Sequence, residues 1–508
     1  MPESPSLETY VKKILRARVY DVAIESPLDE AKGLSRRLKN QVLLKREDLQ
    51  PVFSFKLRGA YNKMAQLTKD EQQRGVICAS AGNHAQGLAL SSRKLGVRGT
   101  IVMPQTTPDI KVNAVKNLGG HVVLHGDSYD EAYTHAVKLA EEKGYVFVHP
   151  YDDPDVIAGQ GTIAMEILRQ HNGAIDAIFV PVGGGGIAAG IAAYVKYVRP
   201  EIKIIAVEPE DAACLAAAMK AGKRVKLDHV GLFADGVAVA QIGVETFKIL
   251  KHHVDEVITV STDEMCAAIK DIFDDTRSIA EPAGALALAG LKKYVTREKC
   301  EGRTLVAIDS GANMNFDRLR HISERTEIGE KREGILAVTL PEKPGAFKAF
   351  CQTLGKRNIT EFNYRYADAR DAHVFVGVQL RNGDIERAEL TGLLEKKGYP
   401  VLDLSDNEMA KLHIRHLVGG HAGVGDEHLF RFEFPERPGA LMNFLTRIEA
   451  KWNISLFHYR NHGDAFGRVL VGLQRGGRSA KELQESLKEV GYPFQDETDN
   501  PAYQLFLR

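Results

Sequence analysis

Lys56 is placed oddly for an ordinary lysine. It follows Phe55 directly and opens a segment in which Leu57, Ala60, Tyr61 and Met64 fall on one helical face. With Ser54 as the N-cap and a helix running from Leu57, the ammonium sits in the first turn, at the positive end of the helix dipole. A cation penalised there has a lowered pKa, and a neutral amine is a nucleophile, a base and a partner for carbonyl carbon. An idle surface lysine explains the residue as well, so its meaning depends on what else the chain brings to it.

Three other stretches carry matching chemistry. Ser80, Ala81, Gly82, Asn83 and His84 lie in SAGNHAQG, a run of small residues between a strand and a helix. Open backbone N–H groups there suit a carboxylate, and the Asn83 amide suits a neighbouring oxygen. A plain capped turn fits the same letters. Gly183, Gly184, Gly185 and Gly186 link the strand AIFVPV to a helix, which suits main-chain donors wrapped round a phosphate. A dinucleotide site is the rival: Gly183, Gly185 and Ala188 fit G-x-G-x-x-[G/A], and Glu208 ends the next strand where a ribose ligand would stand. Asp309 and Ser310 end the strand TLVAIDS and point to opposite faces, so either one meets a ligand or both satisfy local backbone.

The elements that must position these groups follow one rhythm. Through about residue 325, short β-branched runs (GVICAS, GTIVMP, AIFVPV, IKIIAVEP, RTLVAIDS) alternate with Ala-rich helical stretches. That order predicts βαβ units and a mainly parallel sheet, in which ligands collect at the carboxyl ends of the strands.

Past the polar linker HISERTEIGEKREG the pattern changes and then repeats. ILAVTLPEKPGAF and LFRFEFPERPGAL each begin a copy; Pro341 and Pro435 stand 94 residues apart, Tyr364 and Tyr459 95 apart. Each copy reads β-α-β-β-α-β over about 70 residues, the ferredoxin-like arrangement. Gly345 and Gly439, where a strand turns into a helix, have amides open to an amino-acid carboxylate. A pairing module that only builds an oligomer is the alternative. The expected limits are 1–325 for an α/β catalytic domain, with a smaller subdomain over roughly 45–155, then 332–406 and 426–500 for the two copies.

Composition narrows the class. The 508 residues exceed one domain of about 150. With 67 basic against 67 acidic residues, no nucleic-acid partner is expected. No apolar run approaches the ~18 residues of a membrane span, and the N-terminus lacks the apolar core of a secretion signal. The five cysteines are scattered without a CxxC pair, as in a reducing, cytoplasmic setting.

In order, SFKLRGA, SAGNHAQG, VGGGGIAAG and DSGAN resemble the fold-type II (tryptophan synthase β-like) pyridoxal-phosphate enzymes, and among them the threonine/serine dehydratase branch. The duplicated module resembles ACT-like regulatory domains, so the whole chain resembles the biosynthetic threonine deaminases. The dinucleotide reading accounts for neither Lys56 nor SAGNH.

The resemblance implies pyridoxal 5′-phosphate as cofactor, bonded to Lys56, whose freed amine then removes the substrate's α-proton. It implies the glycines 183–186 on the phosphate, Asn83 on the ring hydroxyl, Phe55 and Gly236 against the two ring faces, and residues 80–84 on the substrate carboxylate. Ser310 matches the partner of the ring nitrogen, with Asp309 as neighbour and rival; a hydroxyl there favours elimination over transamination. The implied reaction is α,β-elimination of L-threonine, and of L-serine, to a 2-oxo acid and ammonia, the entry to isoleucine synthesis. Inhibition by isoleucine, opposed by valine, is implied for the copies, with effectors near Tyr364 and Tyr459 and a homotetramer as the assembly.

Ala81 stands where racemases of this fold carry an acid/base serine, so racemisation should be poor. Relatives that hold a divalent cation use a Glu-Pro pair and a second acid six residues on. After Glu208 that place is Cys214, a poor ligand for a hard cation, so no metal is expected. Glu281, in EPAGA, matches a family motif near the cofactor with no role assigned. The competing functions are a serine-preferring dehydratase or racemase, and a non-catalytic amino-acid sensor; a sensor has no use for a nucleophilic lysine.

Overall fold

The computed structural model describes residues 6–341, 346–355, 357, 359–366, 371–416, 426–435, 443–444, 447–448, 451–460 and 466–507. Gly345, Gly439 and the side chains of Tyr364 and Tyr459 lie outside the described residues. The chain forms two units, Met1–Phe316 and Asp317–Arg508.

The strands of the first unit are β1 (Leu28–Glu30), β2 (Gln41–Arg46), β3 (Val76–Ala79), β4 (Gly99–Met103), β5 (His121–Leu124), β6 (Val146–Phe147), β7 (Ala177–Pro181), β8 (Lys203–Pro209), β9 (Glu256–Val260) and β10 (Thr304–Asp309). They build a six-stranded sheet, β1-β2-β10-β7-β8-β9, and a four-stranded sheet, β5-β4-β3-β6. Every pairing is parallel except β1 with β2. Strands β3, β4 and β7 are buried along their whole length, which is why they read as unbroken apolar runs rather than alternating ones.

Topology brings the motifs together. β10 lies beside β7 in the large sheet, so the Asp309–Ser310 end and the tetraglycine turn leave neighbouring strands at the same edge. In the small sheet β3 delivers Ser80. The helix that follows, Asn83–Leu95, packs on the helix Lys56–Ala65. A Cβ on Gly87 would lie 3.0 Å from the Leu57 Cα and 3.2 Å from the Lys56 carbonyl carbon, so a glycine lets the two helices touch where Lys56 begins.

Beneath that helix start lies a fully buried ionic cluster. Arg58 donates to Glu47 (2.8 Å) and Glu166 (2.6 Å), and Lys45 pairs with Glu166 at 2.7 Å. Two cations against two anions, each with a further hydrogen bond (Arg58 to Thr162, Lys45 to the Ser26 carbonyl, Ser26 to Glu47 and Tyr20 to Glu166), meet the condition under which burying charge is tolerable.

In the second unit β11 (Glu333–Pro341), β12 (Ile359–Tyr366), β13 (Asp371–Gln379) and β14 (Val401–Asp403) form an antiparallel sheet in the order β12-β13-β11-β14. With the helices Ala346–Leu354 and Gly383–Lys396 this is the expected βαββαβ order. β15 (Glu427–Pro435), β16 (Asn453–Arg460), β17 (Phe466–Gln474) and β18 (Phe494–Asp496) repeat it as β16-β17-β15-β18. The segment after each copy packs on the other. The Phe506 ring lies 5.6 Å from Phe375 of the first copy, and His413 Nδ1 lies 2.8 Å from His458 Nδ1 of the second.

Candidate active site

The helix carrying Lys56 begins one residue earlier than its sequence suggests. It runs Lys56–Ala65, Phe55 holds the N-cap position, and Ser54 only accepts the Lys56 N–H at 3.4 Å. The amine lies 3.5 Å from the Pro150 carbonyl oxygen and 5.4 Å from the centre of the Phe55 ring. Burial of the ammonium pulls its pKa down to about 8, and the carboxylate of Glu281 pulls the other way. Lost hydration therefore does most of what the sequence argument gave to the helix end.

A web of hydrogen bonds ties the Lys56 segment to the end of β10. The Phe55 N–H donates to the Ser310 carbonyl (3.3 Å), the Ala312 N–H to Phe53 (2.9 Å), and Ser54 bridges Gly311. The Asn313 amide donates to the Val52 carbonyl and to Asn83 Oδ1, both at 2.7 Å. Asn83 Nδ2 in turn donates to Glu281 Oε1 at 2.6 Å. Gly236 lies against the same group: a Cβ there would be 2.9 Å from the Ala283 Cβ and 3.8 Å from Asn83 Nδ2. Phe55, Lys56, Asn83, Gly236 and Ser310 thus meet, as does Glu281.

Ser310 and Asp309 part as alternation requires. The buried Ser310 hydroxyl donates to the Ala283 carbonyl at 3.2 Å. Asp309 turns to Arg46, whose Nε is 3.7 Å from it while the same guanidinium is held by Asp48 at 2.7 Å. Burial, with Asp48 adding to it and Arg46 opposing, holds the Asp309 carboxyl well above the usual range.

The tetraglycine turn is closed to side chains. A Cβ on Gly184 would stand 2.3 Å from the Tyr151 ring, one on Gly186 3.0 Å from the Tyr151 Cα, and one on Gly183 2.8 Å from the Val237 Cα. Gly185 has φ of 92° and precedes the helix Gly186–Val198, whose first N–H groups receive no side-chain cap. Their donors remain for an anion.

Two sequence expectations are refined by side-chain direction. His84 is buried, its Nε2 lies 2.9 Å from the Val148 carbonyl oxygen, and burial pulls it to about 3, so its ring is neutral and engaged with that carbonyl. Glu208, the candidate ribose ligand, accepts the N–H groups of Leu215 (2.7 Å) and Ala216 (2.8 Å) at the start of a helix, and burial lifts it to about 7. Among the described residues no group of three His, Cys, Asp or Glu side chains is arranged to hold a metal ion.

Three residues of the site escaped sequence reasoning: Tyr151, Asp152 and Thr246. Asp153 and Pro154, the cap and first residue of the helix Pro154–Gln170, are a legible helix start in YDDP. The contacts of Tyr151 and Asp152 with segments far along the chain leave no local signal.

Residues 19–311 match the family of pyridoxal-phosphate dependent enzymes, and residues 324–414 and 418–507 each match the C-terminal regulatory domain of threonine dehydratase. The chain belongs to the pyridoxal-phosphate-dependent enzymes, within the family of biosynthetic threonine dehydratases. It is 60% identical to the biosynthetic L-threonine dehydratase IlvA of Burkholderia multivorans over 98% of this chain and 99% of that protein. It is 54% identical to IlvA of Escherichia coli over 99% and 98% respectively. The structure of a processed threonine deaminase isoform 2 from Solanum lycopersicum aligns with a TM-score of 0.62 at 51% identity, covering 64% of this chain and 94% of that one. No helix among the described residues is long and apolar enough to cross a membrane.

The residues fit the cofactor of this family. A turn in which any Cβ at Gly184 would strike Tyr151 is a cradle for a group bound by backbone alone, and the buried amine of Lys56, lowered to about 8, gives up its proton far more readily than an ordinary lysine.

Proposed function

We propose that the chain deaminates L-threonine to 2-oxobutanoate and ammonia, and acts on L-serine in the same way. The observation that carries this is the meeting of a lysine amine near neutrality with Asn83, Ser310 and an all-backbone anion cradle, in a chain of this family. Pyridoxal phosphate, when bound, supplies the electron-withdrawing system that acidifies the substrate Cα–H.

The protein supplies the rest. The glycines 183–186 bind phosphate, Asn83 holds the ring hydroxyl, and Phe55 and Gly236 line the ring faces. The amides of residues 80–84 orient the substrate carboxylate. The Lys56 amine takes the α-proton, the β-hydroxyl takes up a proton and leaves as water, and the released enamine tautomerises and is hydrolysed to the 2-oxo acid and ammonia. Ser310 offers a hydroxyl, which does not force a proton onto a ring nitrogen as a carboxylate would. The turn of Asp309 toward Arg46 supports Ser310 for that role. Ala81 has no proton to give, which disfavours racemisation.

The two C-terminal copies are regulatory, and we assign them isoleucine as inhibitor and valine as its opponent, received near Gly345, Tyr364, Gly439 and Tyr459. A homotetramer in the cytoplasm, where all five cysteines stay free, completes the reading. The test is 2-oxo acid release from L-threonine by the purified holoprotein, with and without isoleucine. Release that isoleucine suppresses is expected. Release indifferent to isoleucine would reduce the copies to assembly modules, and none at all would refute the substrate.

A further inference from the structure

The carbonyl groups of the tetraglycine turn are held from outside. Gly184 O accepts the Thr246 hydroxyl at 2.8 Å and the Gly243 N–H at 3.3 Å. In a trans peptide the C=O and N–H point in opposite directions. A Gly184 carbonyl fixed on Thr246 therefore aims the Gly185 N–H away from Thr246. Glycine on both sides of this peptide leaves it free to flip, since no Cβ restricts either dihedral. With only the longer Gly243 contact left to hold it, the donor would be less ordered, and binding an anion would have to order it.

Thr246 differs from other helical threonines of the chain. Thr162, Thr276 and Thr326 return their hydroxyls to carbonyls of their own helices. Thr246, fully buried, reaches out of its helix to a residue 62 positions earlier. Its helix, Val244–His253, is itself held: the Asp152 carboxylate accepts the N–H groups of Val244 (2.7 Å), Glu245 (2.7 Å) and Thr246 (3.3 Å). Asp152 follows Tyr151, whose ring covers Gly184. One segment thus grips the turn twice, directly through Tyr151 and indirectly through Asp152 and Thr246.

We propose that Thr246 is a positioning residue for the cofactor phosphate: its hydroxyl locks the Gly184–Gly185 peptide with the N–H facing the phosphate, and Asp152 holds Thr246 in place. This rests on the glycine turn being the phosphate cup.

The test titrates apoprotein with pyridoxal 5′-phosphate and, separately, with pyridoxal, which lacks the phosphate. Thr246→Val keeps the shape and removes the hydroxyl, Thr246→Ser restores it, and Thr246→Ala removes it without placing a new atom beside Gly185. Melting of each apoprotein checks the fold, and Thr246→Ala decides should Thr246→Val not fold. Loss of the anchor should weaken pyridoxal 5′-phosphate about tenfold, or about 1.4 kcal/mol, the scale of one buried hydrogen bond. Affinity for pyridoxal should stay unchanged, and Thr246→Ser should match wild type. Wild-type affinity in the hydroxyl-free variants, or an equal loss for both ligands, would overturn the proposal. Wild-type protein binding pyridoxal as tightly as its phosphate ester would instead overturn the cup reading and the proposal with it.

Discussion

Lys56 should react with amine reagents over a pH range in which ordinary surface lysines are silent. An ordinary lysine titrates at 10.5 and Lys56 at about 8. At pH 7 roughly one Lys56 in ten is neutral, against roughly one ordinary lysine in three thousand. The reactive fraction is thus about three-hundredfold larger. The charged or titratable groups that act on it are Glu281, His84 and His149, and burial holds both histidines neutral, at about 3 and about 4. Between pH 5 and 10 the local titration should therefore be that of a single amine. The assay is trinitrophenylation of the apoprotein at graded pH, with the Lys56 peptide quantified by mass spectrometry. A midpoint near 8 is expected, and Glu281→Gln should move it lower by removing the anion that supports the charge. A midpoint near 10.5, or an upward shift in Glu281→Gln, would refute the reasoning.

The same penalty must appear in stability, with a definite sign. Because the folded pKa lies below the unfolded one, the unfolded chain binds more protons between pH 8 and 10.5, so stability rises across that window. Below it the buried charge costs up to about 3 kcal/mol. Lys56→Met should thus stabilise the apoprotein at pH 7 by as much as that, with the gain gone by pH 10.5 in urea unfolding.

Two further outcomes are expected. Ser310→Ala should lower threonine turnover by at least about tenfold and Asp309→Asn far less; near-normal turnover in Ser310→Ala would return the ring-nitrogen role to Asp309. Arg58→Met leaves the buried carboxylates of Glu47 and Glu166 short of a partner and should cost about 3–5 kcal/mol in denaturant unfolding, whereas a loss below about 1 kcal/mol would show that the cluster does not hold the Lys56 helix.

Much of this was legible where the signal is local. Leu57, Ala60, Tyr61 and Met64 share a helical face in the sequence and all four are buried. The βαβ rhythm gave the parallel sheets, and the 94-residue repeat gave the twin antiparallel ones. The start of the Lys56 helix was misplaced because its geometry is set from a distance. Phe53 adopts φ of 54° and Ser54 bridges Gly311, which leaves Phe55, not Ser54, at the cap. Tyr151, Asp152 and Thr246 were illegible for a related reason: Asp152 caps a helix 92 residues later, and Thr246 serves a carbonyl 62 residues earlier. Motif letters reveal where a ligand's contacts lie, but the groups that hold those contacts still can come from anywhere in the chain.

The electrostatics of the site follow from what is kept silent. His84 and His149 are neutral by burial, and His149 Nδ1 accepts the Asp152 N–H at 2.8 Å, which fixes it as the unprotonated nitrogen. Asp309, beside Ser310, is raised well above the carboxylate range by burial first, with the Asp48 charge, which is paired to the Arg46 guanidinium, adding to it. Glu208, behind the glycine turn, is spent on backbone amides. What still acts on the Lys56 amine is lost hydration, which frees its lone pair, and Glu281, which restrains that effect. Lost hydration alone would push the amine so low that it became a weak base; a nearer or stronger anion would keep it protonated. The pair holds it near the working pH, where a base both exists in its neutral form and still takes a proton. Glu281 also accepts from Asn83, so the residue that sets the charge of the base is hydrogen-bonded to the one assigned to the ring hydroxyl.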